Sequence, residues 1–326
     1  MRTSTIKSAM LLAIVSAVFL FPAAASAAWE PSKPVEFVVP WAAGGGSDVV
    51  ARSVAGIVET EKLAPVPLVV VNKVGGNAMV ALSYVASKKG DPHTLMFAAW
   101  TNLMVPVMEK LPQSLRDFTP IARFVIDEQL LYVHWDSPYK SLKDLVNAAK
   151  KAPGTVKVAG VVIGSEDHVV NALFEAAAGI KMNYIVFRGG GDIMRELLGG
   201  HVEAAWLNPS EAVAQQEAKK VRPLAVASQK RLPGMPEAPT FKEEGFDVIF
   251  DSHFRGVLGA PGLPPEVAAY YVDLMRRVTQ TARWQTYVNQ NMVTPAFMGG
   301  KEFGDYLVKQ EDMIKRTLTS LGLIKQ

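Results

Sequence analysis

The sequence predicts an α/β protein of two lobes, each a mostly parallel sheet flanked by helices. Three observations carry this. Short β-branched runs alternate with amphipathic stretches along the chain. Strand–small-residue–helix junctions recur in both halves, at residues 44–47 and 164–168. Two long extended segments, near 121–134 and 247–260, have the length to pass between two sheets. The expected division is a first lobe made from both ends, residues 28–127 and 251–326, with residues 128–250 inserted as the second lobe. A chain of 326 residues with 49% hydrophobic content suits two such cores.

The run VEFVV at 35–39 reads as a buried strand, stopped by Pro40. Small residues fill 42–47, and Asp48 opens a helix whose apolar positions Val50, Val54, Ile57 and Val58 share one face. Such a junction points backbone N–H groups at a small anion from the positive end of a helix dipole. The same residues also describe a plain tight turn, because a lone glycine cluster is weak evidence. No Gly-Lys-Ser/Thr follows, and no third glycine completes a dinucleotide fingerprint, so both nucleotide readings are excluded. LVVVN at 68–72 is the next strand, followed by Gly75-Gly76-Asn77 and a helix over 78–87. TLMFAA at 94–99 is a third strand, ending in Trp100-Thr101-Asn102. The segment 121–134 alternates and is interrupted by Asp127-Glu128.

Residues 141–151 form an amphipathic helix closed by Pro153-Gly154. A strand over 156–162 leads into Gly164-Ser165-Glu166-Asp167-His168 and a helix to Ala178, ended by Gly179. A strand at 183–187 precedes Arg188-Gly189-Gly190-Gly191 and a helix over 192–198. The short apolar run 204–207 enters Asn208-Pro209-Ser210-Glu211 and another helix. A strand at 224–227 and a Pro-rich loop at 232–239 lead to the second extended segment. Helices over 265–281 and 301–321 close the chain.

The N-terminus reads as a secretory signal peptide over residues 1–27. Arg2 and Lys7 precede an apolar run at 9–21, and Ala25-Ser26-Ala27 fits a small-x-small cleavage site. The run is short for a membrane span. The expected product starts near Ala28 as a soluble monomer in the periplasm, not lipid-anchored. With no Cys in the sequence, disulfides, an N-terminal lipid-linked Cys, thiol catalysis and sulfur-ligated metals are all excluded. Losing Arg2 and Lys7 takes the net charge from +3 to +1 (3 − 2), without the basic stripe that nucleic acid requires. There is no Gly-x-Ser-x-Gly elbow and no His-Glu-x-x-His. No catalytic residue, metal or cofactor is therefore expected. An exported hydrolase or isomerase is the alternative of another class, since five His leave a Ser-His-Asp arrangement open.

The chain resembles the periplasmic substrate-binding proteins of tripartite tricarboxylate transporters, the Bug or TctC family, over essentially all of the expected mature chain. The resemblance rests on Lys33-Pro34-Val35, the loop 41–48, Val71-Asn72 with Gly75-Gly76-Asn77, and Asp117-Phe118-Thr119-Pro120. It continues through 164–168, Leu197-Leu198-Gly199-Gly200, Leu224-Ala225-Val226, and Ala260-Pro261-Gly262 followed by Pro264-Pro265. It implies a type II Venus-flytrap periplasmic binding protein fold and a receptor that is not an enzyme. Such a receptor delivers a small organic carboxylate to integral membrane permease subunits. Carried over, one carboxylate would be held by Trp41, Ala42, Ala43, Gly44, Gly45 and Ser47, with Trp100 and Thr101 as a second contact on the first lobe. Gly164, Ser165 and His168 would face them from the second lobe, with Asn208 as a further polar group. Trp41 and Ala43 stand where Phe or Tyr and Pro are frequent, Gly160 and Val161 replace a Ser pair, and Leu207 replaces an acidic residue. The runs 166–168 and 188–191 look like citrate- and dicarboxylate-binding members. A di- or tricarboxylate is the expected ligand; an aromatic or monocarboxylic acid is the alternative, suggested by a Trp-lined, hydroxyl-poor pocket.

Each of these residues also has a plain structural role to offer. Ser165 either donates to a carboxylate or caps its helix. Glu166 and Asp167 would repel an anion, and are expected instead to complement the helix N-terminus, as Asp48 does for its own helix. His168 is either a titrating group or a packed one. Arg188 and Arg255 are candidates to pair with a ligand carboxylate, against the reading of surface cations. Trp41 and Trp100 either wall a pocket or belong to the core.

Overall fold

The computed structural model describes residues 29–324, apart from 42, 44, 45, 77, 111–113, 251, 252 and 321. The expected signal peptide and the start at Ala28 lie outside the described residues, as do Ala42, Gly44 and Gly45 of the candidate site. The fold is two-lobed, with one sheet in each lobe.

The six-stranded sheet holds β1 (Val35–Val39), β2 (Leu68–Asn72), β3 (Thr94–Ala99), β4 (Thr119–Ile126), β10 (Phe254–Gly259) and β11 (Thr294–Gly299), in the order β11-β4-β10-β3-β1-β2. The five-stranded sheet holds β5 (Leu130–His134), β6 (Lys157–Gly160), β7 (Asn183–Val186), β8 (Ala204–Leu207) and β9 (Val221–Val226), in the order β7-β6-β8-β5-β9. Each has a parallel core of three strands beside one antiparallel strand, β10 or β5, that brings the chain across from the other sheet. In the parallel core of the first sheet, Val35, Phe37, Val38 and Val39 are all buried. A strand covered on both faces has to be continuously apolar, which is why the run at 35–39 shows so little alternation.

Helices cover both sheets: α1 (Gly46–Thr60), α2 (Met79–Ala86), α3 (Trp100–Met108), α8 (Pro265–Thr279), α9 (Ala282–Asn291) and α10 (Gly300–Ser320) around the first, and α4 (Leu142–Lys151), α5 (Glu166–Ala178), α6 (Gly190–Leu198) and α7 (Pro209–Glu217) around the second. Helix α1 buries Val50, Val54, Ile57 and Val58, the stripe its spacing predicts. Each such side chain stabilises the fold by about 1.5–3 kcal/mol when fully buried. Ser141 caps α4 in a reciprocal box with Asp144. Gly179 ends α5 at φ 61°, a left-handed position that favours glycine.

Three elements have no counterpart in the sequence reading. Helix α3 begins at Trp100, where a strand-end loop was expected, and contains Pro106. Helix α9 and strand β11 lie between the two helices expected to close the chain. Helix α1 also begins at Gly46 rather than Asp48.

Between the sheets the chain passes once through Asp127, Glu128 and Gln129, and returns between β9 and β10. The two passes are bonded side by side. Asp127 N donates to His253 O (2.9 Å), Ala227 N to Gln129 O (2.9 Å), and Phe250 N to Ala227 O (2.7 Å).

Candidate functional site

Carboxyl ends of parallel strands collect ligand sites because the following helices point their N-termini there. Here β1 with α1 and β6 with α5 place two such ends on opposite sides of a cleft of about 600 Å³. Of the residues expected from the sequence, Trp41, Ser47, Thr101, Ser165, Arg188, Asn208 and Arg255 line it. Apolar walls come from Trp41, Val74, Val161, Val162, Phe187 and Ile193.

On the first lobe, Ser47 stands in the first turn of α1 and is nearly buried. Asp48 is not the helix cap. It lies inside α1, where its carboxylate accepts from Arg52 Nε (2.8 Å) and Asn72 Nδ2 (2.9 Å), tying the helix to β2. Asn72 also donates to Trp41 O (2.9 Å), which fixes the entry of the loop. Arg255 reaches this end from β10: a Cβ placed on Gly46 would stand 3.9 Å from its Nη2. Its guanidinium is buried and grips Asp127 Oδ2 through Nη2 (2.7 Å) and Nε (3.2 Å).

On the second lobe, Ser165 is fully buried and caps α5, its Oγ accepting from His168 N at 3.4 Å. Glu166 and Asp167 do occupy the first turn of α5, but they also line the cleft, against expectation. Glu166 Oε1 accepts from Thr101 Oγ1 (3.0 Å) and lies 3.4 Å from His253 Nε2. Asp167 accepts from Gln129 Nε2 (2.9 Å) and Val161 N (3.0 Å). Glu211 accepts from Asn208 N (3.0 Å) in a capping box on α7. Burial pushes Asp127, Glu166, Asp167 and Glu211 above the usual carboxylate range.

His253 sits among these groups. Its Nδ1 accepts from Gln129 Nε2 (3.1 Å) and Asn208 Nδ2 (3.3 Å), which leaves the proton on Nε2, toward Glu166. Burial, and then the Arg255 charge, push His253 well below its usual value, so it is neutral. Asn208 further donates to the Asp127 and Glu128 carbonyls (3.2 and 3.0 Å) and so clamps the crossover itself.

Other expected residues sit elsewhere. Trp100 is 0% exposed and packs edge-on against Phe250 (5.7 Å), so it belongs to the core, not to the cleft wall. His168 accepts from Gly164 N (3.2 Å) and lies against the Tyr184 ring (4.9 Å); it is packed, and burial lowers its pKa. Gly164, at φ +87°, abuts α3 of the other lobe, where an added Cβ would meet Met108 Sδ at 2.3 Å. It is a close approach between lobes and does not line the cleft. Ala43 is exposed in a turn outside the cleft lining. Arg188 is at the cleft mouth, its side chain 91% exposed and paired with Asp192 (3.0 Å). Gly160 has no room for a serine, since an added Cβ would stand 2.1 Å from the Tyr184 hydroxyl, which donates to Val161 O.

Sequence reasoning missed Asp127, Gln129, Glu211 and His253. Only the charged break at Asp127-Glu128 hinted at them.

Comparison with known proteins adds the family. The sequence model described as "Tripartite tricarboxylate transporter family receptor" matches residues 50–323. The chain belongs to this receptor family. A UPF0065 protein from the tcbD-tcbE intergenic region of Pseudomonas sp. strain P51 is 30% identical over 244 residues, covering 73% of this chain and 71% of the relative. Protein BugT of Bordetella pertussis is 27% identical over 246 residues, covering 74% and 75%. The crystal structure of a TctC solute binding protein from Polaromonas superposes with a TM-score of 0.74 at 29% identity, over 89% of this receptor and 99% of that chain. Family members are periplasmic solute-binding proteins.

Proposed function

We propose that this receptor closes on a small organic carboxylate and delivers it to the integral membrane permease subunits of a tripartite tricarboxylate transporter. The observation that carries the reading is the first-lobe end of the cleft, where the α1 N-terminus and the buried Arg255 guanidinium converge. Trp41, Ser47 and Thr101 would flank the carboxylate, with Ala42, Ala43, Gly44 and Gly45 completing the loop. Residues 28–127 with 251–326 would move against 128–250 about the paired crossovers. Ligand bridging both sides would favour the closed form by its differential affinity. The mature chain would work in the periplasm after loss of residues 1–27, as a monomer and as a binder rather than a catalyst. The apolar walls favour the second reading of the ligand, a monocarboxylic acid with an apolar or aromatic body, over a di- or tricarboxylate.

The test is a thermal-shift panel of mono-, di-, tri- and aromatic carboxylates on the mature protein. A ligand at about 100 times its dissociation constant adds roughly 2.7 kcal/mol, which reads as a rise of several degrees. If amines or sugars shift the melting temperature and no carboxylate does, the reading fails. Turnover of a bound carboxylate would overturn the receptor assignment in favour of an enzyme.

A further inference from the structure

The paired crossovers are not the only joins between the lobes. Two more lie outside the cleft lining, and each sets methionine from the first lobe against a glycine of the second. Gly164 abuts Met108 and Met104 of α3, and Gly234 abuts Met292, the residue that ends α9. A Cβ placed on Gly234 would stand 3.1 Å from Met292 Cγ, 3.3 Å from its Sδ and 3.6 Å from its Cβ. The lobes are together in this structure, since Thr101 donates to Glu166 across the cleft (3.0 Å).

Met292 joins a core that its own lobe does not contain. It connects α9 to β11, a strand of the six-stranded sheet. Its side chain packs instead on the core of the five-stranded lobe, a cluster whose buried members all come from residues 130–238. It also lines a cavity of about 520 Å³ whose other lining residues lie between Trp135 and Glu244. The backbone beneath it is equally unusual. At φ 51° and ψ 31° Met292 is left-handed, in the helix-ending position that glycine or asparagine commonly takes. That conformation is disfavoured for a residue with a Cβ, so the packing of the side chain has to hold it there.

The seat is only partly filled. Met292 is half-buried, the cavity lies beside it, and Gly234 puts no side chain in its way. An unbranched thioether adapts to such a gap and leaves it more cheaply than a residue locked into a full core.

We propose that Met292 is a latch between the lobes, seated on the second core while the cleft is closed and withdrawn when it opens. The crossovers are the pivot, and the turn between α9 and β11 is the part that must release. The inference rests on the closing motion proposed above and not on which ligand drives it. By favouring the closed form, the latch lowers what the differential affinity of a ligand has to supply.

The sequence has no cysteine, so one engineered pair tests this cleanly. The 3.6 Å between Met292 Cβ and a Cβ on Gly234 suits a disulfide. Gly234→Cys combined with Met292→Cys should form an intramolecular crosslink on oxidation. By small-angle X-ray scattering, the ligand-free oxidised protein should have the radius of gyration of the closed structure, and reduction should increase it. Met292→Gly keeps the left-handed turn and removes the side chain. It should raise the ligand-free radius above that of wild type, with the circular dichroism spectrum unchanged, and it decides the matter alone if the cysteine pair does not fold. An unchanged radius in Met292→Gly overturns the inference. So does a pair that fails to crosslink, because the two residues then do not meet in solution. A crosslinked protein as expanded as the reduced one keeps the hinge and loses the latch. If every form shares the closed radius, the lobes do not part and the closing motion falls as well.

Discussion

The β1–α1 and β6–α5 junctions have the same backbone plan and opposite electrostatics. Both run from a parallel strand into a helix N-terminus at the cleft. In the first lobe the helix opens on Gly46 and Ser47, and its first acid, Asp48, is turned to Arg52 and Asn72. The Arg52 guanidinium meets the charge that Asp48 brings to that first turn. In the second lobe Ser165 caps the helix, and Glu166 and Asp167 follow with no ion-pairing lysine or arginine among the described residues. Two like junctions do not make two like sites. The first turn decides the sign.

The largest expected effect comes from removing the cation that separates the two ends. Arg255→Leu leaves Asp127 buried without a counter-charge, a loss of about 3–5 kcal/mol in urea unfolding. Restoring Arg255 alone, or removing both partners together, should recover most of it. Next, glycine to alanine in each junction contrasts the two. Gly164→Ala combines a left-handed φ with a clash on Met108, and should cost roughly 1–3 kcal/mol. Gly46→Ala meets only the Arg255 tip at 3.9 Å and should stay within about 0.5 kcal/mol of wild type. Equal losses from both substitutions would erase the contrast.

A smaller effect is expected from Ser165→Ala, which loses an N-cap worth about 1 kcal/mol. If carboxylate affinity falls as well, Ser165 also touches ligand. The smallest effect concerns pH. Asp167 has its folded pKa raised, by burial first, so the stability it contributes is full below the ordinary carboxylate range and is lost as pH rises through the folded value. Asp167→Asn should therefore raise the melting temperature at about pH 8 relative to about pH 5 by a few degrees. His253, lowered by burial, runs the other way: its contribution is present above its ordinary value and lost as pH falls. Glu166 and Glu211 face the same floor and retain their own dependence.

The strands at 35–39, 68–72, 94–99 and 204–207 were legible residue for residue, because each is a short apolar run bounded by turn formers. Helix α3 was not. Pro106 and a mostly apolar sequence hide its period, and only its neighbours make it a helix. Strand β11 is an edge strand carrying Pro295, whose signal is weak for the same reason that it is an edge. At the cleft, the α1 loop could be seen from local sequence alone. The floor could not, since Asp127 and Gln129 on one crossover meet Asp167, Glu211 and His253 from three other segments and acquire their roles only where the crossovers pair. Trp41 and Trp100 looked alike in sequence; Phe250, about 150 residues away, covers one and leaves the other at the cleft.

The strand order of the first sheet has a consequence for how the chain folds. Strand β10 must insert between β3 and β4, so that sheet stays open until residues 254–259 exist and have returned. The five-stranded sheet draws all its strands from one continuous stretch, residues 130–226. Loop closure over short separations is the faster process, so the five-stranded sheet is expected to complete first although it is begun second. The six-stranded sheet, which carries the proposed anion site, would then assemble beside a partner already in place.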